Sequence, residues 1–221
     1  MLLTMNYRKY LSEAIGTFAL VFCGTGAIII NQEAGGAVTH PGIALTFGLI
    51  VAAMIFALGD ISGAHLNPAV TLVFAVNKQF PKAEVLPFIL AQATGAFAAS
   101  ALLKLLFPSN EFLGGTLPAG SELQSFILEV ILTLILVMVI FNVSTGAKEK
   151  GITAAIAIGG VVGLEALFAG PICGASMNPI RSISPAVVSG HTEHLWIYIL
   201  APLTGALLGL LFHKLLYKNN E

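Results

Sequence analysis

The segment Ser62-Gly63-Ala64-His65-Leu66-Asn67-Pro68-Ala69-Val70-Thr71 returns in altered form as Cys173-Gly174-Ala175-Ser176-Met177-Asn178-Pro179-Ile180-Arg181-Ser182, 111 residues further along the chain. Each copy carries an Asn-Pro pair in apolar surroundings. Asn is a strong helix N-cap, and Pro, which has no N–H to lose, suits the first helical position, so each copy reads as the start of a short helix. A helix start is the positive end of the macrodipole. Two such ends turned toward each other inside a bilayer would bound a pore.

Composition places the chain in a bilayer. Hydrophobic residues make up 57% of the 221 residues, charged residues 10%, and the mean hydropathy is +0.91. Soluble domains hold roughly 45–50% apolar residues, so lipid is the solvent this chain is fitted to. At about 20 residues per crossing the length allows six spans with short connections and leaves little room for a soluble domain. Residues 1–221 are therefore read as one transmembrane domain. The net charge of −1 says nothing about acidic partners, and no Lys/Arg cluster points to a nucleic-acid partner or a polybasic lipid site, so no nucleic-acid partner is expected. Cys23 and Cys173 both fall in or beside apolar segments and make no disulfide framework. Metal-ligand clusters, Walker-type loops and hydrolase elbows are not found, and the five His residues are scattered. No catalytic residue, cofactor or metal is expected, and the chain does not read as an enzyme.

Apolar runs at 10–31, 42–60, 84–107, 122–144, 152–171 and 194–217 predict six transmembrane helices. The first follows Arg8 and Lys9 but is too long for a signal-peptide core and lacks a small-x-small cleavage site, so it reads as a retained span. After each Asn-Pro pair come only about ten apolar residues, too few to cross, which predicts two re-entrant half-helices. With the N-terminus inside, Arg8, Lys9, Lys78, Lys82, Lys148, Lys150, Lys214 and Lys218 all lie on the cytoplasmic side. The positive-inside rule thus puts both termini in the cytoplasm, in a cell membrane. Lys104 can snorkel to the outer interface, whereas Arg181 needs a partner or a water-lined site.

The repeat extends beyond the motifs. Glu13 in the first span corresponds to Glu129 in the fourth, and Ala91-Gln92-Ala93-Thr94-Gly95-Ala96 in the third to Ala201-Pro202-Leu203-Thr204-Gly205-Ala206 in the sixth. The first repeat covers 1–110 and the second 120–221, with a linker from Pro108 to Ser121. Three spans per half force the second copy to be inverted, and such inversion puts a site at the midplane between the repeats. Gly16, Gly24, Gly26, Gly95, Gly159, Gly160, Gly163, Gly205 and Gly209 are read as close-packing positions between helices.

The residue types suggest what the motifs do. The side-chain carbonyl of Asn67 or Asn178 can cap its own helix, which leaves the amide NH2 to donate toward a pore axis. A single Asn-Pro pair would be no more than a cap; the duplication in apolar flanks is what turns the reading toward a pore. The residues before each Asn must carry non-helical backbone, tolerated at membrane depth only where it lines a watery path. Gly63, Ala64, His65 and Leu66, and Gly174, Ala175, Ser176 and Met177, are therefore expected to present a carbonyl ladder. Glu13 and Glu129 are costly in lipid unless hydrogen-bonded, and they are read as acceptors supporting the re-entrant loops rather than as a proton relay.

At this point the sequence resembles the major intrinsic protein family of aquaporins and aquaglyceroporins over essentially its whole length. The two Asn-Pro motifs (Asn67, Pro68, Ala69 and Asn178, Pro179, Ile180), the paired acids and Arg181 carry the resemblance jointly. It implies an all-α, aquaporin-like membrane channel in which opposed half-helix dipoles exclude protons and ions, a known property of such pores. It also implies a homotetramer with one pore per subunit, whose partners are membrane lipid, water and small neutral solutes. It places Arg181 at a narrow outer constriction with Phe47, Ala166 and Ala175. Water-selective members have His where this chain has Ala166, and glycerol channels have Asp where it has Ser182. The run Phe168-Ala169-Gly170-Pro171-Ile172-Cys173-Gly174-Ala175-Ser176-Met177-Asn178-Pro179 resembles the nodulin-26-like branch and its bacterial relatives. That branch implies passage of water with glycerol, urea or metalloid hydroxides.

The competing readings are a strictly water-selective pore, a structural membrane protein with a closed pore, and an alternating-access transporter. The last shares inverted repeats but would show paired acids or a Na⁺ site in its core. Three residues stand apart. Ile180 replaces the usual Ala of the second motif and either separates the half-helices or fills a packing gap. Glu165, one residue before Ala166, either edges toward the pore or bonds a loop. Cys173, if it borders the pore, should make flux sensitive to bulky thiol reagents.

Overall fold

A computed structural model describes residues 3–144 and 152–217. Among them the chain forms eight α-helices: α1 (Leu3–Glu33), α2 (Thr39–Ser62), α3 (Pro68–Val76), α4 (Lys82–Leu106), α5 (Glu122–Ser144), α6 (Ile152–Cys173), α7 (Pro179–Ser189) and α8 (Leu195–Tyr217). Lys148, Lys150 and Lys218, three of the charges behind the expected orientation, lie outside the described residues.

Six of the helices are long and apolar enough to cross a bilayer, and they coincide with the six expected spans. The two short ones, α3 with 9 residues and α7 with 11, begin at the Asn-Pro motifs. At about 1.5 Å per residue they reach only about half of a hydrocarbon core of about 30 Å. The architecture is an all-α membrane fold of six full and two half crossings. Leu49, Leu90, Ile131, Leu164 and Leu207 remain exposed on it, as lipid solvation permits.

Glycines set the helix contacts, and they do so symmetrically. In the first repeat α1 lies against α4 so closely that a Cβ on Gly95 would stand 2.0 Å from the Ala14 carbonyl oxygen. In the second, α5 lies on α8, and a Cβ on Gly205 would stand 2.4 Å from the Val130 carbonyl oxygen. Between the repeats α2 packs on α6 reciprocally: a Cβ on Gly48 would meet Gly159 O at 2.7 Å, and one on Gly159 would meet Gly48 O at 2.5 Å. A contact in which each residue meets its own counterpart marks a local twofold axis, and the pair is 111 residues apart, the same offset as the motifs. Not every glycine serves packing in this way, for Gly160 has open space beside it.

The stretch between the repeats is not a free tether. Asn110 donates to Gln32 Oε1 at 3.0 Å and accepts from Leu113 N at 2.9 Å, Ala119 N donates to Ile172 O at 2.9 Å, and Leu113 and Thr116 are buried. His191 lies 3.6 Å from Glu111, and His194 2.7 Å from Glu122, so the linker near its start and α5 at its first residue are both tied to the stretch between α7 and α8.

Candidate functional site

The two half-helices start back to back at the centre of the fold. Asn67 Oδ1 accepts from Ala69 N at 2.9 Å and Asn178 Oδ1 from Ile180 N at 3.2 Å, the expected caps. The amide NH2 groups are not wholly free, as the sequence reading had them. Asn67 Nδ2 donates to Met177 O and Asn178 Nδ2 to Leu66 O, each at 2.8 Å. Each NH2 carries two donors, so one N–H of each stitches the repeats together and one is left for the passage. Ile180 is buried in the core, and the two cross-repeat bonds are equally short, so its bulk fills packing space without parting the half-helices.

The backbone before each Asn takes the same unusual course in both loops. Gly63, Ala64 and Leu66 have φ of 89°, 47° and 51°, and Gly174, Ala175 and Met177 have 85°, 43° and 53°. Left-handed conformations at non-glycine residues cost on the order of 1–3 kcal/mol each, so the loops persist only because their surroundings hold them.

Two buried carboxylates supply much of that hold. Glu13 accepts from His65 N at 2.9 Å, Leu66 N at 2.8 Å, Ser62 Oγ at 2.7 Å and Gln92 Nε2 at 2.8 Å. Glu129 accepts from Ser176 N at 2.7 Å and Met177 N at 2.8 Å. Both acids are fully buried, so these donors replace the hydration each would otherwise lack. The His65 ring is held separately, between Phe74, Phe80 and Phe88 with centroids at 5.0, 4.9 and 5.3 Å, and its Nδ1 lies 3.1 Å from Thr71 Oγ1.

A cavity of about 590 Å³ runs past both Asn residues. Asp60, Ser144 and Ala154 line it at the end of α2, the end of α5 and the start of α6, and Phe47, Ala175 and Arg181 line it beyond the Asn pair. Of the ladder residues, Gly63, Ala64, His65, Leu66, Ala175, Ser176 and Met177 form wall. Gly174 does not, because Thr116 of the linker covers it, 2.8 Å from where its Cβ would stand. Ala166 is also absent from this wall; it is buried, one turn beyond the wall residue Val162.

Arg181 is 2% exposed, with Nη1 donating to Gly114 O at 3.1 Å and the guanidinium 4.9 Å from the Phe47 ring centre. Its Nε has no hydrogen-bond partner among the described residues. The expected alternatives for Glu165 both fail: it is buried off the cavity wall, and neither carboxylate oxygen makes a hydrogen bond among the described residues. Cys173 is likewise fully buried off the wall and faces Ala169 O at 3.5 Å, so the expectation of a reagent-sensitive pore thiol is withdrawn.

Several residues of the site escaped the sequence reading. Gln92 bridges Glu13 and Thr71, at 2.8 and 3.0 Å. An intramembrane amide facing Pro202 in the aligned repeat was the signal for it. Thr116 donates to Ser182 Oγ at 2.8 Å, which in turn lies 2.6 Å from Ser176 Oγ. Gly114 and Thr116 sit in a linker whose sequence carries no periodicity to mark them.

Comparison with known proteins is consistent with this geometry. The family model described as Major intrinsic protein matches residues 3–213. The chain is 44% identical over 215 residues to Aquaporin NIP1-1 of Zea mays, covering 97% of this chain and 76% of that protein. It is 43% identical over 203 residues to Nodulin-26 of Glycine max, covering 91% and 75%. Among solved structures it resembles the aquaglyceroporin from Plasmodium falciparum, with a TM-score of 0.83 at 26% identity, over 96% of this chain and 97% of that one.

Proposed function

Since the chain belongs to the major intrinsic protein family and is an integral membrane channel for water and small solutes, we propose that its filter admits uncharged solutes larger than water. Glycerol, urea and metalloid hydroxides are the class meant. The reading rests on one observation: Phe47 and Arg181 lie against each other on the cavity wall with Ala175, and position 166, which the family resemblance assigns to the same constriction, carries only a methyl group buried off that wall. An imidazole at position 166 would reach the passage where a methyl group does not, narrowing it and adding a donor.

Transport is passive and needs no chemistry, cofactor or ion coupling. The remaining N–H of Asn67 and of Asn178 donates to a passing oxygen at the midplane, and the two helix starts disfavour cations there. Arg181, held by Gly114 O, adds a fixed positive charge at the outer end. The chain acts as a homotetramer in the cell membrane with both termini in the cytoplasm.

Stopped-flow light scattering of proteoliposomes under water, glycerol, urea and arsenite gradients tests the filter. Wild type is expected to pass water and at least one of the larger solutes, and Ala166→His to lower the solute flux by about tenfold while sparing water. A wild type that passes water alone, unaltered by Ala166→His, refutes the reading.

A further inference from the structure

The local twofold axis carries the outer filter onto the inner half of the cavity. The offset of 111 residues is fixed twice by geometry: by Gly48 against Gly159, and by Asn67 to Met177 O against Asn178 to Leu66 O. The same operation takes Phe47 to Ile158, Ala166 to Ile55, Ala175 to Ala64 and Arg181 to Val70. All four images lie on the cavity wall. Val70, Ala64 and Ile158 are only 4%, 7% and 9% exposed although they face a cavity, which matches Phe47 at 8% and Ala175 at 7%. Three of the four images are thus as little exposed as Phe47 and Ala175, while Ile55 is partly exposed.

The two levels differ in chemistry. The outer one holds a guanidinium, with its fork of donors. At the inner one Ile55, Val70 and Ile158 bring no polar side-chain atom; Ile55 and Ile158 lie well inside α2 and α6, where the backbone groups are paired, and Val70 stands in the first turn of α3. A solute crossing it meets, beside the ladder carbonyls, three side chains that replace none of the hydrogen bonds it gives up to them, and a narrow apolar ring can also control flow by dewetting.

We propose that Ile55, Val70 and Ile158, with Ala64, form a second, apolar selectivity ring on the inner side of the Asn pair. This ring limits flux by withholding hydrogen bonds. It extends the proposed outer filter without replacing it: the outer filter sets which solutes fit, and the inner ring sets how fast polar ones pass.

Val70→Thr and Ile158→Thr keep or reduce side-chain size while adding a hydroxyl, and they are made singly and together. Ile156→Thr, at a position 66% exposed on the outside of the same helix, is the control. In proteoliposomes normalised to channel content, the double variant is expected to raise water flux by about twofold and glycerol or urea flux by about threefold or more, with the control unchanged. If Val70→Thr does not fold, Ile158→Thr alone must raise flux. Water and solute fluxes within the control's range, in variants that remain folded, overturn the ring. The outcome is separable from failure of the outer-filter reading: a wild type restricted to water refutes that reading, while the water flux of the Thr variants still decides the ring.

Discussion

The two re-entrant loops follow nearly the same backbone path but are held by different means. The first, Gly63 to Asn67, is anchored inside its own repeat. Glu13 of α1, Ser62 of α2 and Gln92 of α4 converge on it, and three Phe rings enclose His65. The second, Gly174 to Asn178, has Glu129 for its two N–H groups and Cys173 beside that acid where the first has Ser62, but Pro202 stands where Gln92 would be and can donate nothing from its side chain. Its further support comes from the linker: Thr116 through Ser182 to Ser176, and Gly114 O to Arg181. Duplicated backbone thus tolerates divergent scaffolding. The loop that leads into the helix bearing Arg181 is the one whose support passes through a segment outside both repeats.

The sharpest way to break this comparison is to remove each acid. Glu13→Ala strips the partner from two backbone N–H groups and from Ser62 and Gln92, and Glu129→Ala strips it from two N–H groups and the weakly donating Cys173 thiol. At about 1–3 kcal/mol for each buried group left bare, the first should abolish recovery of monodisperse protein in detergent and the second only reduce it. Equal losses on size-exclusion chromatography would remove the asymmetry.

A smaller effect is expected from Gly114→Ala. Gly114 has φ of 66°, and its Cβ would fall 2.5 Å from Thr25 O, so the linker must shift and Arg181 loses its carbonyl. Water flux per folded channel should fall by about threefold, with the protein still recoverable. Unchanged flux and selectivity would mean that the linker does not position the filter. Least of all, Gln92→Leu removes the donor to Glu13 Oε2, which holds the first loop, and to Thr71 Oγ1 of α3. It should lower the thermal stability of the solubilised protein by about 1.5–3 kcal/mol and leave the solute-to-water flux ratio alone. A changed ratio would show that the first loop's support also tunes selection.

Much of the architecture was legible because lipid imposes strict rules. Apolar runs long enough to span, and Asn-Pro starts followed by runs too short to do so, mark α1 to α8 without ambiguity. The cap bonds at Asn67 and Asn178 were legible for the same local reason. What was not legible depends on pairing across the repeats or through the linker. No spacing rule shows that one N–H of each Asn amide goes to the other loop, that Thr116 covers Gly174, or that Glu165 turns away from the wall.

The crossed amides at Asn67 and Asn178 also have a consequence for biogenesis. The carbonyl that receives the Asn67 amide belongs to Met177, which leaves the ribosome 110 residues later. Until then the first loop has its own acid and its own cage but no partner at its tip. The last bonds to close are the ones that define the opening, so a nascent or truncated chain holds no finished conduit, and the membrane is spared a leak while the channel is being made.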